Sequence, residues 1–184
     1  MRSPADILFA ALFVLGLAAS CNKELDAAYG RQEENIAAIV DGFVKADPTV
    51  KVRYQAGSTR ITIVGGQGDS LSADGAVSFY YAGYSITGRA LSPDALFVTN
   101  YDVFAKSVKW NLSDTTRFAI STVQLADDTL IEGLRNGLAG VRAGEECYVL
   151  FSGKHAFPRN RKFGPIPANS ALAYHLWIQS VSNE

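Results

Sequence analysis

Short runs of alternating apolar and polar residues follow one another from Lys51 to the end of the chain. This period of two is the pattern of a strand that buries one face. The runs are Arg60–Val64, Val77–Tyr81, Thr116–Ile120, Glu145–Phe151 and Ala171–Ile178. Within the runs, the residues predicted to share one face are Val77, Phe79 and Tyr81; Phe118 and Ile120; Cys147, Val149 and Phe151; and Leu172, Tyr174, Leu176 and Ile178.

Two other segments place apolar residues at the spacing of an amphipathic helix. The first is Glu24–Ala46, which ends at Asp47-Pro48 because proline restricts the residue before it. The second is Asp128–Val141, where Asp128 or Thr129 caps the start and Gly144 follows the end. A weaker helical pattern covers Tyr101–Lys109. The apolar stripes are Ile36, Ile39, Val40 and Phe43 in the first helix, and Leu130, Ile131, Leu134, Leu138 and Val141 in the second.

A single short helix among antiparallel strands predicts an α+β fold, in which one face of a curved sheet closes over the helix. The predicted domain covers residues 51–184. Residues 21–50 are predicted to form a tether with an amphipathic helix. The apolar face of that helix packs either on the domain or on a second copy of the chain, as a dimer.

The N-terminus has the order of an export signal: Met1-Arg2, an apolar run from Ile7 to Ala19, then Ser20-Cys21. We therefore predict a signal peptide over residues 1–20. The end of the run resembles a bacterial lipobox, with Leu17 one place early, as in Bacteroidetes lipoproteins. That resemblance implies lipidation of Cys21 and a lipid-anchored location in the cell envelope. The alternative is an ordinary export signal with a free Cys21.

The composition excludes several classes of protein. With 184 residues, 48% hydrophobic, the chain suits one compact domain. Seventeen basic against eighteen acidic residues give a net charge of −1, so no nucleic-acid partner is predicted. Two cysteines cannot build a disulfide scaffold, and no paired Cys/His spacing marks a metal site, so no cofactor is predicted. Gly65–Gly68 is interpreted as a bend, because a phosphate loop needs a helix directly behind it.

Four motifs in order resemble those of FKBP-type peptidyl-prolyl cis-trans isomerases. Leu130–Leu134, followed by two glycines, is similar to the start of the family's helix. Tyr80–Gly83 resembles a family strand, and Gly66–Val77 resembles the approach to it. Ala156–Pro158 and Gly164–Leu172 resemble the family's last loop and closing strand. The resemblance extends from Lys51 to Val181.

The resemblance implies an antiparallel sheet wrapped around one short helix, with an aromatic cleft that binds prolyl-containing polypeptides and macrolide ligands. Alternating Phe and Tyr are otherwise typical of a core. Carried over by position, the cleft has a catalytic set and a substrate-binding set. The catalytic set is Tyr81, Phe118, Ile131, Phe157 and Tyr174. The substrate-binding set is Phe97, Leu130, Leu134 and Ile166.

Such a cleft needs no acid, base or metal. The planar prolyl amide is more charge-separated than the twisted one, so an apolar site disfavours the planar form. Three departures from the family pattern predict slow isomerisation: Val98 replaces an acidic residue, Leu134 a tryptophan and Phe157 a tyrosine. The alternatives are a non-catalytic peptide-binding or chaperone lipoprotein, and a structural lipoprotein that no longer binds proline.

The remaining reactive side chains have simpler interpretations. Cys147 is predicted to be a small buried residue rather than a nucleophile. His175 is predicted on the outward face of the last strand and His155 in a loop, with no metal or catalytic role favoured for either. The basic loop Lys154–Lys162 is interpreted as solvated, with selection of acidic peptides as the alternative. Asp127-Asp128 is interpreted as charge at a helix start.

Overall fold

The structure, a computed structural model, describes residues 4–110, 117–157, 161–162 and 164–183, with side chains from residue 23 onward. Thr116, Pro158 and the side chain of Cys21, on which predictions were made, lie outside this part. The chain divides into two compact units, Met1–Arg31 and Gln32–Glu184. Helix α1 (Pro4–Ala46) ends where the Asp47-Pro48 signal predicted.

Among the described helices, none is both long and apolar enough to cross a membrane.

The described part of the second unit forms a seven-stranded antiparallel sheet. The strands are β1 Lys51–Gln55, β2 Ser58–Val64, β3 Ala76–Ile86, β4 Leu96–Thr99, β5 Ser121–Gln124, β6 Glu146–Phe151 and β7 Ala171–Ser182. Their order is β1-β2-β6-β7-β3-β4, and β5 also pairs with β3. The alternating runs predicted β2, β3, β6 and β7, whereas β1 and β4 were not predicted.

One face of the sheet packs on helix α3 (Glu132–Leu138), which confirms the predicted α+β layer. The predicted faces of the long strands meet there. Cys147, Val149 and Phe151 of β6 are fully buried. They share a core with Leu134 and Leu138 of α3, and with Val77, Phe79, Leu172, Tyr174, Leu176 and Ile178.

The opposite face of the sheet has a second core. Ile36, Ile39 and Val40 of α1 are buried against it, so the C-terminal part of α1 packs on its own domain. The predicted weak helix is present as α2 (Asp102–Ser107), and its Phe104 packs against the same core. His175 was predicted to face outward, but it is only 7% exposed. Alternation placed it on the correct face but could not show that helices cover that face.

Three predicted boundaries were wrong. Helix α3 ends at Leu138 with Ala139 at the cap position, short of the predicted end at Val141 and Gly144. Helix α3 starts at Glu132, and neither Asp128 nor Thr129 caps it; Ile131 stands at the cap position without a side-chain bond. The reason is local, because the Asp127 carboxylate accepts hydrogen bonds from the backbone N–H and the hydroxyl of Thr129 and folds this stretch into a turn. Of the strand predicted at Thr116–Ile120, the described residues 117–120 are not in a strand, and the strand lies later, at β5.

Candidate functional site

A cavity of about 1050 Å³ opens between α3, the sheet and the loop that follows β6. Its walls are mainly apolar and its rim carries charges of both signs. The wall residues are Phe79, Tyr81, Phe97, Val98, Ser121, Val123, Leu130, Ile131, Leu134, Ala156, Phe157, Pro165, Ile166 and Tyr174. The charged residues are Asp127, Asp128, Glu132, Lys154 and Arg161.

All predicted cleft residues except Phe118 line this cavity. The residues brought together are Tyr81, Phe97, Leu130, Ile131, Leu134, Phe157, Ile166 and Tyr174. Phe118 is only partly buried and does not line the cavity, because it precedes β5 instead of lying in a strand. Ser121 and Val123 of β5 occupy the wall that Phe118 was predicted to form. That wall is therefore smaller and less aromatic than the resemblance implied.

Tyr174 is the centre of the aromatic part of the cavity. Its ring contacts Tyr81 edge-on at a centroid distance of 6.1 Å and Phe97 at 6.3 Å. Phe151 lies stacked behind it at 6.1 Å. Edge-to-face pairs at such distances each add about 0.5–1.5 kcal/mol beyond the area that they bury. The rings therefore form a rigid wall that a ligand does not need to order.

The two tyrosine hydroxyls at this wall remain protonated at neutral pH. Burial raises the pKa of Tyr174, and the neighbouring Tyr81 raises it further. Burial also raises the pKa of Tyr81, partly opposed by the positive charge of Arg117. Both side chains therefore present neutral O–H groups that can donate a hydrogen bond to a ligand carbonyl.

Helix α3 lies unusually close to the sheet because two of its residues are glycines. A Cβ atom added at Gly133 would overlap the Phe151 ring, and one added at Gly137 would overlap the Val149 side chain. The two glycines are four residues apart and so share one face of the helix. This i,i+4 spacing was a signal in the sequence that the predictions did not use.

Two buried polar side chains of β2 hold α3 in place. Ser58 Oγ donates to the carbonyl of Gly133 at 2.6 Å. Arg60 donates to the carbonyls of Gly137 and Ala139 at 2.9 and 3.0 Å, at the end of the helix. The Arg60 guanidinium also pairs with Glu145 at 3.4 Å. These bonds fix the helix that carries Leu134 into the cavity, and no sequence motif predicted them.

The charged rim is partly engaged in local bonds. Glu132 at the start of α3 pairs with His155 Nδ1 at 3.1 Å. Hydrogen bonds from Thr129 lower the pKa of the exposed Asp127 carboxyl. The rim can therefore contact polar groups of a ligand, while the apolar floor excludes water from whatever it covers.

Comparisons with known proteins agree with this fold. Residues 95–178 match the family model described as FKBP-type peptidyl-prolyl cis-trans isomerase. No curated protein matches the chain. The structure of FkpA from Escherichia coli is similar with a TM-score of 0.58 and 19% identity, covering 98% of this chain and 74% of that one.

Two plant structures are also similar. The three FKBP domains of wheat FKBP73 give a TM-score of 0.55 at 14% identity, covering 72% of this chain and 50% of that one. The N-terminal domain of FKBP42 from Arabidopsis thaliana gives 0.54 at 14% identity, covering 72% and 93%. At these identities the likeness is one of fold.

Proposed function

We propose that the protein is a peptidyl-prolyl cis-trans isomerase that assists the folding of exported proteins. The observation that carries the proposal is the cavity itself, where Tyr81, Phe97, Ile131 and Tyr174 line one apolar hollow. Its volume of about 1050 Å³ lies just above the range of roughly 300–1,000 Å³ for small-molecule sites. It can hold a prolyl ring together with flanking residues, or a macrolide.

The proposed chemistry is rotation about the X-Pro amide, whose barrier is about 20 kcal/mol. Twisting breaks the amide resonance and reduces charge separation, so the apolar walls favour the twisted state over the planar one. Each 1.4 kcal/mol or so of this difference gives a tenfold rate increase. The neutral hydroxyls of Tyr81 and Tyr174, and the backbone N–H of Ile131, are the proposed donors that hold the substrate carbonyls.

Three positions limit the expected rate. Val98 lines the cavity without the acidic group of the family pattern, and Phe157 lines it without a hydroxyl. Leu134 forms a buried floor that is smaller than a tryptophan. Each missing hydrogen bond costs about 1 kcal/mol of ligand stabilisation. We therefore expect slow isomerisation with measurable peptide binding, and the second candidate function is peptide binding without catalysis.

A protease-coupled assay with a prolyl tetrapeptide tests the proposal. We expect the lipid-free protein starting after Cys21 to accelerate isomerisation, and a macrolide to inhibit it by competition. Calorimetric titration with a proline-rich peptide separates the two candidate functions. Binding without acceleration at high protein concentration supports the non-catalytic function, and the absence of both refutes the two functions together.

We also propose that lipid on Cys21 anchors the protein in the cell envelope, as the lipobox-like sequence suggests. Each buried CH₂ of an acyl chain adds about 0.8 kcal/mol of membrane affinity. Metabolic labelling with an alkynyl fatty acid should mark the wild-type protein but not Cys21→Ser. Labelling of both proteins would refute the proposal. The helix before Gln32 then acts as a spacer or as a contact with a second copy, which sedimentation of the lipid-free chain decides.

A further inference from the structure

One edge of β3 is shared by two strands and has a gap between them. Strand β4 pairs with β3 at Ala82–Tyr84. Strand β5 pairs with it at Ala76–Phe79. Within the described residues, Tyr80 and Tyr81 therefore have no strand partner on this edge. Backbone groups left unpaired at a buried position are costly, so another group must satisfy them.

The carboxamide of Asn100 fills this gap. Its Oδ1 accepts a hydrogen bond from the N–H of Tyr81 at 2.6 Å. Its Nδ2 donates to the carbonyl of Ala119 at 2.8 Å and to Ser121 Oγ at 3.2 Å, with a longer contact of 3.4 Å to the carbonyl of Phe79. The side chain is 3% exposed and acts as an inserted peptide unit between β3 and the start of β5.

The neighbouring residues complete the clamp on Tyr81. Thr99 Oγ1 donates to the Tyr81 carbonyl at 2.7 Å, and the backbone N–H of Asn100 donates to the same oxygen at 3.2 Å. Both backbone groups of Tyr81 are thus held by the end of β4. The sequence gives no local sign of this, because the partners lie eighteen or more residues away.

The three segments that Asn100 joins each supply a wall of the cavity. Tyr81 comes from β3, Phe97 and Val98 come from β4, and Ser121 comes from β5. We propose that Asn100 is a positioning residue for the ligand site, acting through Tyr81 and the start of β5 to set the distance between these walls. This inference rests on the proposed function.

The test compares three variants with wild type. Asn100→Ala removes the clamp, and Asn100→Asp retains its shape. Ile39→Ala is the control, because Ile39 is buried in the core on the opposite face of the sheet. Affinity for a proline-rich peptide is measured by calorimetry per folded molecule, and kcat/KM is measured in the isomerase assay. Backbone amide exchange at Tyr81 is followed in the free proteins.

We expect Asn100→Ala to bind peptide at least tenfold more weakly and to exchange the Tyr81 amide at least tenfold faster, while Ile39→Ala binds like wild type. Asn100→Asp should recover affinity as the pH falls from 8 to 5.5, because a protonated carboxyl can both accept from Tyr81 and donate to Ala119. Wild type and Ile39→Ala should not show this pH-dependent gain.

Unchanged affinity in folded Asn100→Ala, or an equal loss in Ile39→Ala, would overturn the positioning role and leave the proposed function intact. A wild-type protein that binds no proline peptide would instead overturn the proposed function, and the positioning role with it. Slower or unchanged Tyr81 exchange in Asn100→Ala would contradict the clamp itself, whatever the activity.

Discussion

Mild acid should destabilise the domain through His175. Its ring lies between Tyr148, stacked at 4.1 Å, and Trp177 at 3.8 Å, and Phe104 lies edge-on at 6.2 Å. Its Nε2 is 2.7 Å from the Glu146 carboxylate, which by itself favours the imidazolium. Burial among the rings dominates and lowers the pKa of His175 to about 3, so the folded state holds a neutral ring.

The size of the effect follows from proton linkage. The unfolded chain protonates His175 near its ordinary pKa of 6.5, whereas the folded chain does not until about pH 3. Stability is therefore complete above pH 6.5 and falls as the pH drops below it. Each pH unit costs about 1.36 kcal/mol, which gives about 2 kcal/mol between neutral pH and pH 5. For a domain with about 5–15 kcal/mol of total stability, that loss is readily measured.

Glu146 contributes with the opposite sign. Burial raises the pKa of its carboxyl in the folded state, so protonation of Glu146 stabilises the fold as the pH falls toward its unfolded value of 4.5. The pKa of Tyr148 is raised far above this window. A net loss of stability between pH 6.5 and pH 5 therefore comes from His175 and not from Glu146, which acts in the opposite direction.

Urea unfolding followed by circular dichroism at pH 7.5, 6.5, 5.5 and 5.0 measures the effect. We expect the slope between pH 6.5 and 5 to disappear in His175→Gln, which retains a donor for Glu146. His155→Gln is the matched control and should keep the wild-type slope, because it leaves His175 in place. A wild-type stability that stays constant down to pH 5, or a slope that persists in His175→Gln, would refute the reasoning.

Three further outcomes are expected. Tyr81→Ala should weaken peptide binding about tenfold by calorimetry, whereas Phe118→Ala, which truncates an aromatic ring outside the cavity, should change it less than twofold; the reverse order would contradict the placement of the site. Gly137→Ala should lose about 1–3 kcal/mol in urea unfolding because its Cβ meets the sheet, while Gly42→Ala, with open space around it, should not destabilise α1. Burial raises the pKa of Cys147, so its thiol should stay unreactive toward a disulfide reagent at pH 8 until urea unfolds the protein; fast labelling of the native state would contradict its burial.

Local periodicity was sufficient for the long strands and not for the short ones. In β6 and β7 the alternating residues were predicted to share a face, and they do share the core around α3. The run that contains Phe118 alternates as clearly as the run that follows it. Ser121–Gln124 forms the strand because these residues, and not the run with Phe118, pair with β3. Alternation describes a strand but does not determine which of two neighbouring runs pairs with β3. Phe118 was therefore predicted to line the cavity, which it does not do.

Buried polar residues that support the site were predicted less well from the sequence than the strands were. Arg60 and Asn100 each form hydrogen bonds with backbone groups that other segments leave unpaired. The sequence around each residue contains no motif that predicts these bonds. The backbone groups that they satisfy become buried and unpaired only when α3 packs on β2, or when two strands share an edge of β3. Such residues become visible by asking where each buried N–H and C=O finds its partner, which is a question about tertiary structure.

The cavity depends on more of the chain than the family match covers. The matched residues, 95–178, contain Phe97, Ile131 and Tyr174 but not Tyr81. They also lack Ser58 and Arg60, which hold α3. The clamp at Asn100 and Thr99 connects the matched part to both backbone groups of Tyr81, and α3, inside the matched part, is held by side chains of β2 outside it. A fragment restricted to the matched residues would therefore lose one wall and the support of another, and we expect ligand binding to require the whole of the second compact unit.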